Sequence, residues 1–144
     1  MPDIIANLLK ANRFGYAARI VLTFMFWGSG LSKLLDFDAA KAEMAYFGLA
    51  PAAFYASVTI IVQLAGSAMI IANRWAWFGC GALAVFTALT IPVAHDFWAM
   101  QEPMRTFEFH IVVEHISIIG ALMVVAVASV RQRNDRVSLA AALI

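Results

Sequence analysis

The apolar stretch from Phe107 to Val130 carries the side chains with the most versatile chemistry in this chain. Its first half contains four ionisable residues in close succession, Glu108, His110, Glu114 and His115. His110 and Glu114 are four positions apart and would share one face of a helix. Glu108 and His115 are seven apart and would share another. Imidazole and carboxyl groups exchange protons with ligands near neutral pH. We predict this role for Glu114 and His115, together with His95.

Polar residues on three other apolar stretches could complete a site with this segment. Lys33 closes the first stretch, Gln63 lies midway along the second, and His95-Asp96-Phe97-Trp98 ends the third. A carboxylate at the depth of Glu114 needs a partner, so we predict an ion pair between Lys33 and Glu114. The candidate ligand-binding residues are Lys33, Gln63, Asp96, Trp98 and His110.

Simpler roles exist for several of these residues. A lysine at a helix end often extends to the membrane interface, and a buried ion pair can merely orient two helices. A histidine beside Trp98 is also ordinary at a water boundary. The nitrogens of His95, His110 and His115 with the carboxylate of Glu114 would suit a metal chemically. Their spacing matches no established metal signature, so no metal site is predicted.

The composition indicates whether these residues belong to a soluble protein or to a membrane protein. The chain has 144 residues, of which 63% are hydrophobic and 13% charged, and its mean hydropathy is +0.82. Soluble domains carry about 25% charged residues, so the composition predicts a single integral membrane domain over residues 1–144. A formal net charge of +1 gives no indication of nucleic-acid binding. The lone Cys80 lies within an apolar run and offers no disulfide or redox pair.

Four apolar stretches are long enough to approach the roughly 20 residues of a membrane-spanning helix. They cover residues 16–34, 53–72, 75–98 and 107–130. The pattern predicts an all-α fold, a four-helix transmembrane bundle with a short interfacial helix between spans 1 and 2. In that short helix we expect Met44 and Phe47 to face the bilayer boundary and Lys41 and Glu43 to face water.

The distribution of basic residues predicts the orientation. One side of the predicted bundle receives seven of the ten, Lys10, Arg13, Arg19, Arg74, Arg131, Arg133 and Arg136. The other side receives three, Lys33, Lys41 and Arg105. Because basic residues concentrate in cytoplasmic loops, both termini are predicted to be cytoplasmic. The histidines and most carboxylates then lie near the outer leaflet.

Several short sequence blocks resemble the DoxX family of small four-helix membrane proteins. They are Gly30-Leu31-Ser32-Lys33-Leu34, Tyr46-Phe47-Gly48-Leu49-Ala50-Pro51, Gln63-Leu64-Ala65-Gly66 and His95-Asp96-Phe97-Trp98, within a similarity that extends from about Arg19 to Ala126. Family members commonly carry glutamate at the position of Gln63 and Lys-Asn at Glu114-His115. The resemblance implies a bacterial inner-membrane protein associated with oxidoreductases, some of them quinone-linked.

These observations support two functional hypotheses. In the first, the chain is an accessory subunit of a membrane oxidoreductase system and holds a quinone-type ligand in an outer-leaflet polar pocket. The chain's side chains do not themselves carry electrons, so the quinone or a partner would do so. In the second, it is a non-enzymatic scaffold or a carrier of a small molecule or lipid. Expected partners are membrane lipid, redox enzyme subunits and a second copy of the chain. Whether the chain catalyses a reaction stays open.

Overall fold

The computed structural model describes residues 1–142, and every regular element in that range is helical. The α-helices are α1 (Asp3–Lys10), α2 (Asn12–Leu22), α3 (Phe24–Leu35), α4 (Phe37–Tyr46), α5 (Ala52–Ile71), α6 (Ala76–Ala94) and α7 (Met104–Ala141). A short 3-10 helix, Phe97–Ala99, lies between α6 and α7. The all-α prediction is confirmed.

Three parts of the chain are long and apolar enough to cross a membrane, at Ala52–Ile71, Ala76–Ala99 and Met104–Asp135. The first predicted span, residues 16–34, is instead divided between α2 and α3 at Thr23. The Thr23 hydroxyl is buried and donates a hydrogen bond to the Arg19 carbonyl over 2.7 Å. Such side-chain bonds compete with the helical backbone pattern and bend helices. Neither half alone has the length of a membrane span.

The segment predicted as an interfacial helix forms α4, which folds back against α5. Asp36 caps its first turn by accepting a hydrogen bond from the Ala39 amide over 2.9 Å. Ala40 and Met44 are buried in a small cluster with Ala56 of α5. Met44 therefore packs inside the molecule, and the expectation that it faces the bilayer boundary is wrong. Its long, flexible side chain fills the gap between the two helices.

The outward side of α4 is polar. Lys41 Nζ lies 2.7 Å from the exposed Asp38 carboxylate. The hydrogen bond and the charge of Lys41 lower the pKa of Asp38. After α4, Gly48 adopts a left-handed conformation with φ of 71°, which glycine enters without a steric penalty. The chain can thus reverse direction sharply into α5.

The helices α5 and α6 pack in close backbone contact at the core. A Cβ atom built on Gly79 would lie 2.7 Å from the Gly66 carbonyl oxygen, so the two backbones touch. Small residues allow this approach between membrane helices. The buried side chains around the contact come from four helices, Phe26, Ile70, Cys80, Leu83 and Leu122. Together they hold α3, α5, α6 and α7 around one core.

Candidate functional site

A cavity of about 590 Å³ lies among α3, α4, α5, α6 and α7. Its lining is mostly apolar, with side chains such as Phe26, Phe47 and Phe86. The polar and ionisable side chains on its wall are Ser29, Lys33, Glu43, Tyr55, Thr59, Gln63, Thr87, Thr90, His95 and His115. An apolar cavity with a few polar groups is the usual form of a small-molecule site.

One wall is built from a chain of polar contacts across three helices. Lys33 Nζ on α3 lies 2.8 Å from the Glu43 carboxylate on α4. The same Nζ is 3.4 Å from the Ser29 hydroxyl one turn earlier. Ser29 is in turn 3.4 Å from the Gln63 amide nitrogen on α5. This arrangement holds Lys33 and Gln63 in place at the cavity wall.

Gln63 retains unused hydrogen-bonding capacity. The residue is only 6% exposed, and its Oε1 atom has no partner among the described residues. A buried amide left in this state costs about 1–3 kcal/mol. Such a cost is tolerable at a site where a ligand or a bound water supplies the missing hydrogen bond.

A second wall carries two histidines. The Nδ1 atom of His95, just after α6, lies 2.7 Å from the Glu108 carboxylate on α7. The Nδ1 atom of His115 lies 2.8 Å from the carbonyl oxygen of Ile111 in its own helix. The ring centroids of His95 and His115 are 4.8 Å apart, nearly edge to face. The two imidazoles are therefore in contact and lie on the same wall of the cavity.

The hydrogen bonds fix which nitrogen of each ring is available to a ligand. A carbonyl oxygen only accepts, so His115 Nδ1 carries a proton and donates it to Ile111. An ionised Glu108 likewise accepts from His95 Nδ1. When each ring is neutral, its Nε2 atom is then an acceptor, and when protonated that atom donates. Each histidine can thus bind a hydroxyl or a carbonyl, depending on its charge.

The structure brings together only some of the residues predicted from the sequence. Lys33, Gln63, His95 and His115 line the cavity, whereas Glu114, His110, Asp96 and Trp98 are not in its lining. Glu114 is exposed on α7. His110 is also exposed and donates from Nδ1 to the Thr106 carbonyl. Trp98 is 56% exposed, which suits an interfacial tryptophan.

The predicted ion pair between Lys33 and Glu114 is wrong. Lys33 pairs with Glu43, because α4 folds back beside the end of α3 and brings its carboxylate within reach. On α7, Glu114 is rotated about 100° from His115, since each helical residue turns by that angle. The helix face that points into the cavity carries His115, and Glu114 points elsewhere.

Glu108, Ser29 and Glu43 are functional candidates that were not among the site residues predicted from the sequence. For Glu108 a signal existed, because its seven-residue separation from His115 places both on one face of α7. For Ser29 the only signal was a small polar residue one turn before Lys33 on α3. Glu43 belonged to a connector whose fold against α5 could not be read from periodicity.

Within residues 1–142, no three side chains of histidine, cysteine, aspartate or glutamate lie close enough to hold an ion. His110 and Glu114 point away from the cavity that contains the other two histidines. The four residues considered as metal ligands are therefore not gathered at one point.

Comparison with known families accounts for the membrane-helix pattern. The sequence profile of DoxX matches residues 15–96, more than half of the chain. The chain belongs to the DoxX family. The match begins in α2 and ends at Asp96, so it contains Lys33, Gln63 and His95 but not α7. No curated protein and no solved structure matches the chain significantly.

Membership in the DoxX family and three apolar helices identify a membrane protein. This explains why so many large apolar side chains are exposed on its helices, among them Ile61, Val85, Leu89, Ile116 and Val124. In water such a surface would be unusually apolar for a monomer. In a bilayer this surface contacts lipid, whereas the polar groups of the cavity lie inside the bundle.

Proposed function

We propose that this DoxX protein is an accessory subunit of a membrane oxidoreductase system and that its cavity binds a quinone-type ligand. The observation that carries the proposal is a mostly apolar cavity with hydrogen-bonding groups on two separate walls. A quinone has an apolar ring body and two carbonyl oxygens on opposite sides of the ring. The Lys33 ammonium and the second N–H of the Gln63 amide can donate to one carbonyl oxygen, and the histidine pair can bind the other. The unpartnered Gln63 Oε1 can accept a hydrogen bond from the hydroxyl of the reduced ligand.

The histidine wall suits both redox forms of such a ligand. Neutral His115 accepts a hydrogen bond at Nε2 from a quinol hydroxyl, and protonated His115 donates from the same atom to a quinone carbonyl. His95 bonds to Glu108 through Nδ1 and so presents its Nε2 atom to the ligand in the same way. The two electrons released when a quinol loses its two protons would pass to a redox group of the partner enzyme.

The membrane arrangement in this proposal has four spans. The consecutive helices α2 and α3 together form the first, and α5, α6 and α7 form the others. Both termini lie on the cytoplasmic side of the bacterial inner membrane, as the basic residues favour. The cavity then opens near the outer leaflet, where protons exchange with the outer aqueous phase.

The exposed side of α7 is assigned to a protein partner in this proposal. Glu114 and His110 lie there on a helix whose membrane segment is only 11% buried within the molecule. A carboxylate facing lipid is costly, and contact with a redox enzyme subunit or a second copy would cover it. This gives Glu114 a role in assembly, separate from the cavity.

Binding of a short-chain ubiquinone analogue to the purified full chain tests the proposal. We expect His115→Ala and Gln63→Met each to weaken binding by about tenfold, the loss of one good hydrogen bond. Ser117→Ala is the matched control, because Ser117 is on the same helix, exposed, and bonded only to the Val113 carbonyl. Unchanged affinity in both cavity variants, or an equal loss in Ser117→Ala, would contradict the proposal.

The second candidate function is a lipid or small-molecule carrier, and the mostly apolar cavity lining favours it. The same preparation distinguishes the two functions. A phospholipid that co-purifies with the protein and is not displaced by the ubiquinone analogue supports the carrier. Displacement of that lipid by the analogue, with loss of the effect in His115→Ala, supports the quinone site.

A further inference from the structure

A second cavity, of about 890 Å³, lies at the other end of the helices from the candidate site. It is bounded by the turn between α5 and α6 and by the C-terminal part of α7. The polar and aromatic residues used below all belong to its lining, Asn73, Arg74, Trp75, Trp77, Gln132 and Arg133. None of them takes part in the proposed quinone site.

Two arginines give this cavity a positive character. Arg74 from the turn and Arg133 from α7 are both exposed. Among residues 1–142, neither forms an ion pair with a carboxylate. Asp135, two residues after Arg133, is not in the lining. The planar guanidinium groups are thus free to bind an anion, and they bind phosphate with two parallel hydrogen bonds each.

Two tryptophans place the cavity at the depth of lipid headgroups. Trp75 is 71% exposed and Trp77 is 50% exposed, at the point where α6 begins its apolar stretch. Tryptophan side chains concentrate at the level of the headgroups, where one end of the indole meets lipid and the other meets water. The Asn73 and Gln132 amides supply neutral donors beside the arginines.

We propose that this cavity binds the phosphate of an anionic phospholipid headgroup, held between Arg74 and Arg133. Basic pockets between transmembrane helices bind such headgroups because unpaired cationic groups meet the phosphate at the membrane surface. The lipid joins the α5–α6 turn to α7, two parts of the chain that are far apart in sequence. This site therefore ties the C-terminal part of α7 to the rest of the bundle.

Thermal unfolding of the full chain in a neutral detergent tests this proposal. The probes are phosphatidylglycerol, phosphatidylcholine and inorganic phosphate, each titrated separately. We expect phosphatidylglycerol to raise the unfolding temperature at the lowest concentration. Arg74→Gln and Arg133→Gln should each raise its half-saturating concentration by about tenfold, as expected for one lost charge-assisted contact.

Arg131→Gln is the matched control, because Arg131 is exposed on α7, loses the same charge and is outside the cavity lining. An effect of Arg131→Gln equal to that of Arg133→Gln would overturn the proposal, as would equal protection by phosphatidylcholine. Protection by inorganic phosphate with the same arginine dependence would support a phosphate site filled from solution. If Arg74→Gln fails to fold, Arg133→Gln decides the result alone.

Discussion

The contact between Gly66 and Gly79 permits a sharp test of how the bundle is held together. A Cβ atom on Gly79 would lie 2.7 Å from the Gly66 carbonyl oxygen and 3.0 Å from Met69 Cβ. The first of these is a backbone atom and cannot rotate away. Gly79→Ala therefore forces α5 and α6 apart, although it adds a single methyl group.

The expected change in the free energy of unfolding is the difference between two opposing contributions. Overpacking of a close contact costs about 1–3 kcal/mol, whereas alanine is a better helix former than glycine by about 0.8–1 kcal/mol. We expect Gly79→Ala to lower the free energy of unfolding by up to about 2 kcal/mol. Gly81→Ala is the control on the same helix, because nothing lies within 4 Å of its added Cβ. That variant should be neutral or more stable.

Reversible unfolding in mixed detergent micelles gives the free energy of unfolding of both variants under the same conditions. The separation of α5 from α6 also moves Gln63 away from Thr87 and widens the cavity, so binding of the ubiquinone analogue should weaken in Gly79→Ala alone. Equal stability of the two alanine variants would refute the close backbone contact. A stabilised Gly79→Ala with unchanged binding would refute the link between this contact and the cavity.

Two further predictions concern the cavity walls. Gln63→Met should raise the free energy of unfolding by about 1 kcal/mol, because a buried acceptor without a partner is removed. Denaturant unfolding measures this gain, and the same variant should bind the ubiquinone analogue more weakly. Glu108→Gln should lower the free energy of unfolding by about 1–2 kcal/mol, since Glu108 is mostly buried and pairs with His95. Glu114→Gln is the comparison, and should change stability by less than about 0.5 kcal/mol; a larger effect in Glu114→Gln than in Glu108→Gln would contradict the structure.

Apolar stretch length predicted the helices well where a stretch was uninterrupted. α5 and α6 nearly match stretches visible in the sequence, because a backbone in lipid must satisfy its hydrogen bonds within the segment. α7 contains the last stretch but continues to Ala141. The first stretch is divided into two helices at Thr23, whose hydroxyl donates to the Arg19 carbonyl. Hydropathy averages over this residue and does not predict the division.

Residue partners were harder to predict than helices. The candidate pair of Lys33 and Glu114 assumed that the only lysine near membrane depth must meet the carboxylate at similar depth. Depth does not determine which way a side chain points around a helix axis, and α4 supplied Glu43 from a segment outside the apolar stretches. Helical periodicity did relate Glu108 to His115, but it could not show that the loop after α6 brings His95 to them.

The charges at the two ends of the molecule favour different ligands. At the candidate site, the Lys33 ammonium already pairs with the Glu43 carboxylate, and His95 Nδ1 already bonds to Glu108. The groups left to bind a ligand are then the neutral Gln63 amide and the Nε2 atoms of His95 and His115, which suit a neutral ligand such as a quinone. The opposite cavity keeps two arginines without carboxylate partners among residues 1–142, which suits an anion. An anionic quinone analogue should therefore bind the candidate site no more tightly than a neutral one of the same size.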